Sequence, residues 1–190
     1  MNTSSGLVDA LHFALDRARE QFDGCGIVGY GVVQRFDADG RETLLVPFFN
    51  IITDIGDLYY AGKAIAAIPP ASAAAPTAVT GMQVGSGGAT AATKSGAGAA
   101  MVTLLAGQAF DATFPSTANL GAGLGVNAVH KTTYAAGTAT GTVSEATITN
   151  GAIGTASTAA NPIARITFTG IVKGAADSLA LTWNHKFLGA

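Results

Sequence analysis

Three histidines, one cysteine and several acidic pairs are the residues best equipped for chemistry in this 190-residue chain. His12, His130 and His185 fall in three separate stretches, with no His-x-x-x-His spacing and no neighbouring glutamate. A zinc site read from sequence needs ligands spaced to converge, and these are not. Cys25 stands alone, so an internal disulfide or a thiolate cluster within one chain is excluded. Its expected role is a small apolar side chain rather than a nucleophile. Serines and threonines abound, but no Gly-x-Ser-x-Gly elbow presents one for acyl transfer. Asp37 and Asp39 sit in Asp37-Ala38-Asp39-Gly40, where Asp supplies local turn hydrogen bonds. Asp54 and Asp57 flank Gly56 in what also reads as a turn, without the dense oxygens of a calcium loop.

Two glycine-rich strings have the outline of phosphate cradles. Gly24-Cys25-Gly26-Ile27-Val28-Gly29 matches G-x-G-x-x-G, but a dinucleotide site needs a strand before it and a helix after it. Here the order is reversed. Gly88 to Ser95 is one residue from a P-loop, with Thr93 where the second glycine belongs and no strand leading in. Both read as structural segments. No catalytic, cofactor-binding or metal-binding residue is therefore assigned, no cofactor is expected, and the chain is expected not to be an enzyme.

The elements around these residues divide unevenly. Of the 22 charged side chains, 14 lie in residues 1–63, and only Lys94 and Asp111 fall between Ala64 and His130. Leu7, Leu11, Leu15 and Ala18 line one face of a helix over 6–22, capped by Ser4 or Ser5 and stopped by Gly24. Ile27–Phe36 and Glu42–Asn50 predict a β-hairpin, followed by an apolar run over Ile51–Tyr60. Pro69, Pro70 and Pro76 mark a loop or extended arm, and Gly81–Gly98 reads as a long loop or part of a strand. Met101–Ala106 suits a strand or short helix. Strand-like runs follow at Val126–Tyr134, Gly141–Asn150, Ile163–Val172 and Ser178–Phe187, the last alternating Leu179, Leu181 and Trp183 inward.

This spacing predicts a mainly β fold, an antiparallel β-sandwich or jelly-roll-like body with an N-terminal α-helix. The expected division is 1–63 (helix and hairpin), 64–100 (a long, low-charge Ala/Gly/Thr-rich arm or loop) and 101–190 (the body, joined with 1–63). The arm is expected to be disordered until it binds. The aromatic pairs Phe48-Phe49 and Tyr59-Tyr60 are expected to pack internally.

Charged residues make up 12% of the chain, about half the share usual in soluble domains. Such a surface is expected to face other protein. The formal net charge of -2 leaves no basic excess, so nucleic acid is not an expected partner. No 18-residue apolar run predicts a membrane span, and Met1–Ser5 shows no signal-peptide pattern.

The C-terminal stretch carries three ordered elements: Ser144-Glu145-Ala146, then Ala164-Arg165-Ile166-Thr167-Phe168, then Lys173-Gly174-Ala175-Ala176-Asp177-Ser178-Leu179 through Trp183. Together they resemble the C-terminal β-rich part of tailed-bacteriophage virion structural proteins, a group of head and tail components. The resemblance covers roughly the last quarter of the chain. It implies a structural component of a phage particle, favoured as a capsid decoration or cement protein that stabilises the shell by subunit-bridging contacts. Its partners would be major capsid or tail proteins, its state a homo-oligomer, and its location the virion, assembled in the host cytoplasm. A tail, collar or fibre-attachment component, and a receptor- or carbohydrate-binding module on the virion, are the alternatives. As a sheet, the pattern makes the Lys173–Asp177 segment a turn. It places Phe168, Leu179, Leu181 and Trp183 on a buried side and pairs Glu145 with Arg165 across strands. That pair is worth a few tenths of a kcal/mol if exposed.

Overall fold

The structure, a computed structural model, describes residues 26–65, 77–121 and 125–188. The helix expected over 6–22, together with His12, Cys25 and the three prolines of the arm, lies outside them. The fold is mainly β, with 52% of the described residues in strands. The chain forms two compact units. Among the described residues, the first draws on 26–50, 110–121, 125–141 and 172–188, and the second on 51–65, 77–109 and 142–171. These boundaries differ from the division at 63 and 100. A cut placed by charge density follows composition, whereas the units follow strand pairing between distant segments.

In the first unit, β1 (Gly26–Phe36) and β2 (Glu42–Ile52) form the expected hairpin. Asp37 makes its turn: one carboxylate oxygen accepts the amides of Asp39 and Arg41 at 3.0 and 2.9 Å. Gly40 closes the turn at φ 75°, a conformation that favours glycine. On its other side β1 pairs antiparallel with β9 (Ser178–Leu188), which pairs with β6 (Val126–Tyr134), and β6 with the short β5 (Ser116–Asn119). β5 has no counterpart in the sequence reading, because Ser-Thr-Ala-Asn carries no hydrophobic alternation. The Lys173–Asp177 segment is a turn: the Asp177 carboxylate accepts the Gly174 amide at 2.8 Å, and the Lys173 ammonium donates to the Asp177 and Ala135 carbonyls. Leu179, Leu181 and Trp183 are fully buried.

The second unit runs β4 (Leu104–Gln108), β3 (Gly81–Gly85), β7 (Gly141–Thr149), β8 (Pro162–Lys173), with β8 also pairing with Ile51 and Ile52 at the end of β2. Two expectations fail here. Asp54–Ile65 is a helix, α1, where a turn was read at Asp54–Asp57. Thr53 starts it by accepting the Gly56 amide on its hydroxyl, and Asp54 and Asp57 place negative charge on the first turn. The arm expected over 64–100 is, from residue 77 onward, part of the packed unit. β3 has Met82, Gln83 and Val84 fully buried between β4 and β7. Burial accounts for the low charge only at 81–85; residues 88–97 are largely exposed and are held by hydrogen bonds instead. Phe168 is half-buried rather than fully enclosed.

Candidate functional site

Both units contain buried clusters of polar side chains. In the second unit the first of them is an ion pair. Glu145 on β7 and Arg165 on β8 meet at 2.7 Å with both side chains wholly inaccessible to water. The pairing matches the sequence expectation; the small energy expected of it applied to an exposed pair, and this one is buried. The Glu145 carboxylate also accepts the amides of Gly87 (2.9 Å), Thr103 (2.8 Å) and Val102 (3.2 Å). The Arg165 guanidinium donates to the carbonyls of Thr90 and Gly98, each at 3.0 Å. The two side chains therefore clamp the connection between β3 and β4, residues 86–103, at both ends. A side chain at Gly87 would put its Cβ 2.4 Å from the Glu145 oxygen, which is why glycine stands there. The carboxylate thus holds four donors, three of them backbone amides that it fixes in place.

The P-loop-like string Gly88–Ser95 lies within the clamped connection. Gly88 donates its amide to the Ser144 hydroxyl, Thr90 serves Arg165, and Lys94 pairs with Asp57 of α1 at 2.5 Å. The amides of Thr90 and Thr93 are likewise taken, by the carbonyls of Gly87 and Gly98. A second buried network secures the following loop. The Gln83 amide nitrogen donates to the carbonyls of Ala152, Ile153 and Thr155, and its oxygen accepts from the amide and hydroxyl of Ser157. No sequence signal singled out Gln83.

In the first unit, strand register sets two rows on one sheet face. Phe48, Gly31, Trp183 and His130 form one row, and Asn50, Gly29, His185 and Ala128 the next. The two glycines leave a trough into which the larger residues lean: a Cβ at Gly31 would meet the Thr182 carbonyl at 2.2 Å and the Phe48 ring at 2.6 Å. Phe48 packs edge-on to Trp183 with ring centres 5.0 Å apart, and the Trp183 indole donates to the Asn50 side-chain oxygen at 2.7 Å. The His130 and His185 rings lie 5.3 Å apart, with Phe110 5.5 Å from His130. Two histidines that sequence spacing kept apart are thus brought together by the register of β6 and β9. Burial pushes the His130 imidazole down to about 4, against a hydrogen bond with the Trp183 backbone that acts the other way. Burial, and then the neighbouring His130, lower His185 well below the usual imidazole range. On the opposite face the Asn127 amide donates to the Tyr30 hydroxyl at 2.8 Å. Desolvation raises that phenol, an effect the Asn127 bond opposes.

Among the described residues no three His, Cys, Asp or Glu side chains converge on a point where a metal could sit. Asp37 and Asp39 serve the hairpin turn, and Asp39 also meets Arg41 at 3.2 Å. Gly26 and Gly29 of the dinucleotide-like string lie in β1, whose outer partners are β2 and β9. Comparison with protein-family models, with curated proteins and with solved structures finds no match.

Proposed function

We propose that the chain is a non-enzymatic structural component of a tailed-phage particle, acting as a capsid decoration or cement protein that bridges neighbouring subunits. The observation that carries this reading is where the charges go. From Lys131 to the C-terminus the chain has six charged side chains, and four of them, Glu145, Arg165, Lys173 and Lys186, are buried. Charged residues are rarely fully enclosed in globular proteins. Here Glu145, Arg165 and Lys173 tie loops and turns from inside, so fewer charges reach the outer surface than the composition states. Such a surface suits contact with other protein, as a second copy or as a capsid or tail protein.

The residues behind the phage-protein resemblance agree with a structural role. Glu145 and Arg165 form the clamp, Lys173 and Asp177 build a turn, and Trp183 is enclosed. The sandwich or jelly-roll arrangement of the body is part of the same proposal, as is a site of action on the virion rather than on nucleic acid or membrane. No helix among the described residues is long and apolar enough to cross a membrane. The buried position of Trp183 favours a packing part over a carbohydrate-binding module, which would present its aromatics on exposed loops. Bridging by an arm that orders on assembly does not extend to residues 77–100, which are built into the second unit.

The test is co-sedimentation of the purified protein with particles lacking it, followed by imaging of the bound sites. Regular density over the shell is the expected result. Density confined to the tail vertex would replace decoration with a tail role, and failure to bind either would overturn the structural reading.

A further inference from the structure

The second unit's segments contain no histidine, whereas the first encloses two in direct ring contact. His130 is 3% exposed and His185 is fully buried. Each comes from a different strand of one antiparallel pair, so opening the β6–β9 seam would part the two rings and let water reach them. The His130 Nδ1 atom has no hydrogen-bond partner, so no acceptor stands ready for a proton placed there.

The surroundings offer no compensating charge among the described residues. On β6 the nearest charge is Lys131 and on β9 it is Lys186, each adjacent in sequence and therefore directed to the opposite face. β1 opposes the pair with Gly29 and Gly31, and its Tyr30 lies on the other face. β2 contributes Phe48 and Asn50, and β5 has no titratable residue. The loop that brings Phe110 carries Asp111, whose carboxylate is held by the amide and hydroxyl of Thr133. The remaining described carboxylates of the unit are also occupied: Asp37 and Asp39 in the hairpin turn, Glu42 with Gln34, and Asp177 with Gly174.

We propose that the His130–His185 pair makes the β6–β9 seam an acid-released latch, closed while both rings are neutral and opened by proton uptake. The sign follows from linkage. With their folded values depressed, both rings are neutral in either state above the ordinary imidazole value of 6.5, and the seam is at full strength there. Below 6.5 the open form gains protons that the closed form refuses, and the seam weakens progressively toward about 4, where His130 titrates in place. At pH 5 each histidine shifts the balance about 30-fold toward the open form, and the pair about 1,000-fold.

Amide exchange of the whole chain at pH 7.5 and pH 5.0, corrected for the intrinsic rate, tests this. The expected result is a fall of about 1,000-fold in protection over Ala128–Thr132 and the facing Leu181–His185, with β3 and β7 of the second unit unchanged. The paired variant His130→Gln/His185→Gln should lose that pH dependence. Unchanged protection in the wild-type seam, or an equal fall in both units, would overturn the proposal. If the variant does not fold, imidazole NMR of the wild-type protein decides. Rings that stay neutral in the closed form at pH 5 support the latch, and rings that titrate near 6.5 without loss of seam protection refute it.

Discussion

Replacing Arg165 with methionine gives the sharpest test of the buried clamp. The change removes three hydrogen bonds, to Thr90, Gly98 and Glu145. Two carbonyls lose their donor, and the Glu145 carboxylate remains wholly buried with backbone amides but no counter-charge. Breaking a buried pair from one side costs about 3–5 kcal/mol, because the stranded charge keeps its desolvation penalty. For a chain of this size each kcal/mol moves the thermal midpoint by roughly 2–4 °C, so a fall of about 6–20 °C is expected. Urea denaturation and calorimetry read the loss. The double variant Glu145→Gln/Arg165→Met should recover at least about 1 kcal/mol of it, since no uncompensated charge is then left inside. Lys94→Met is the contrast. Its pair with Asp57 is half-exposed, at 56% and 52%, and should cost under about 1 kcal/mol. If Arg165→Met costs no more than Lys94→Met, the clamp reasoning is refuted.

Two further substitutions test the remaining packing arguments. Gln83→Leu leaves the carbonyls of Ala152, Ile153 and Thr155 without their shared donor. A loss of about 2–4 kcal/mol is expected, with faster amide exchange and proteolysis confined to residues 152–157. Gly31→Ala places a Cβ against the Thr182 carbonyl, which cannot move without disturbing the β1–β9 ladder. It should lower the urea midpoint by the equivalent of about 1–3 kcal/mol. Gly154→Ala, where an added Cβ meets nothing within 4 Å, should stay within about 0.5 kcal/mol of wild type.

The strands that sequence made legible are the longer ones, bounded by turn formers. β1, β2, β6, β7, β8 and β9 carry runs of β-branched and apolar residues between turn formers, and each falls within a few residues of its expected place. The hairpin at Asp37–Gly40 was legible because Asp and Gly there have a specific mechanical role. Where small residues dominate, the periodic signal disappears. β3 reads Gly-Met-Gln-Val-Gly and is buried at every position, so no alternation marks it. α1 was hidden because Gly56 looks like a breaker. It is tolerated since the helix approaches β8 so closely that a Cβ would sit 2.1 Å from the Ile163 carbonyl.

The buried clusters were half-visible for a different reason. Glu145 and Arg165 stand out because they are charged residues inside strand-like runs, in a part of the chain with little charge. That pattern indicates pairing, but it carries no information on depth. Depth is set by the loops that fold over the pair, and those loops are the Gly/Ala/Thr stretches that composition suggested were a free arm. The same loss of charge therefore has opposite meanings according to what lies beneath it. A segment with no internal anchor stays disordered, whereas one whose amides and carbonyls are claimed by a buried ion pair is held in place without apolar bulk of its own. Gly87, Thr90, Gly98, Val102 and Thr103 are claimed in this way. The β3–β4 connection is consequently fixed although Lys94 is the one charged side chain it carries.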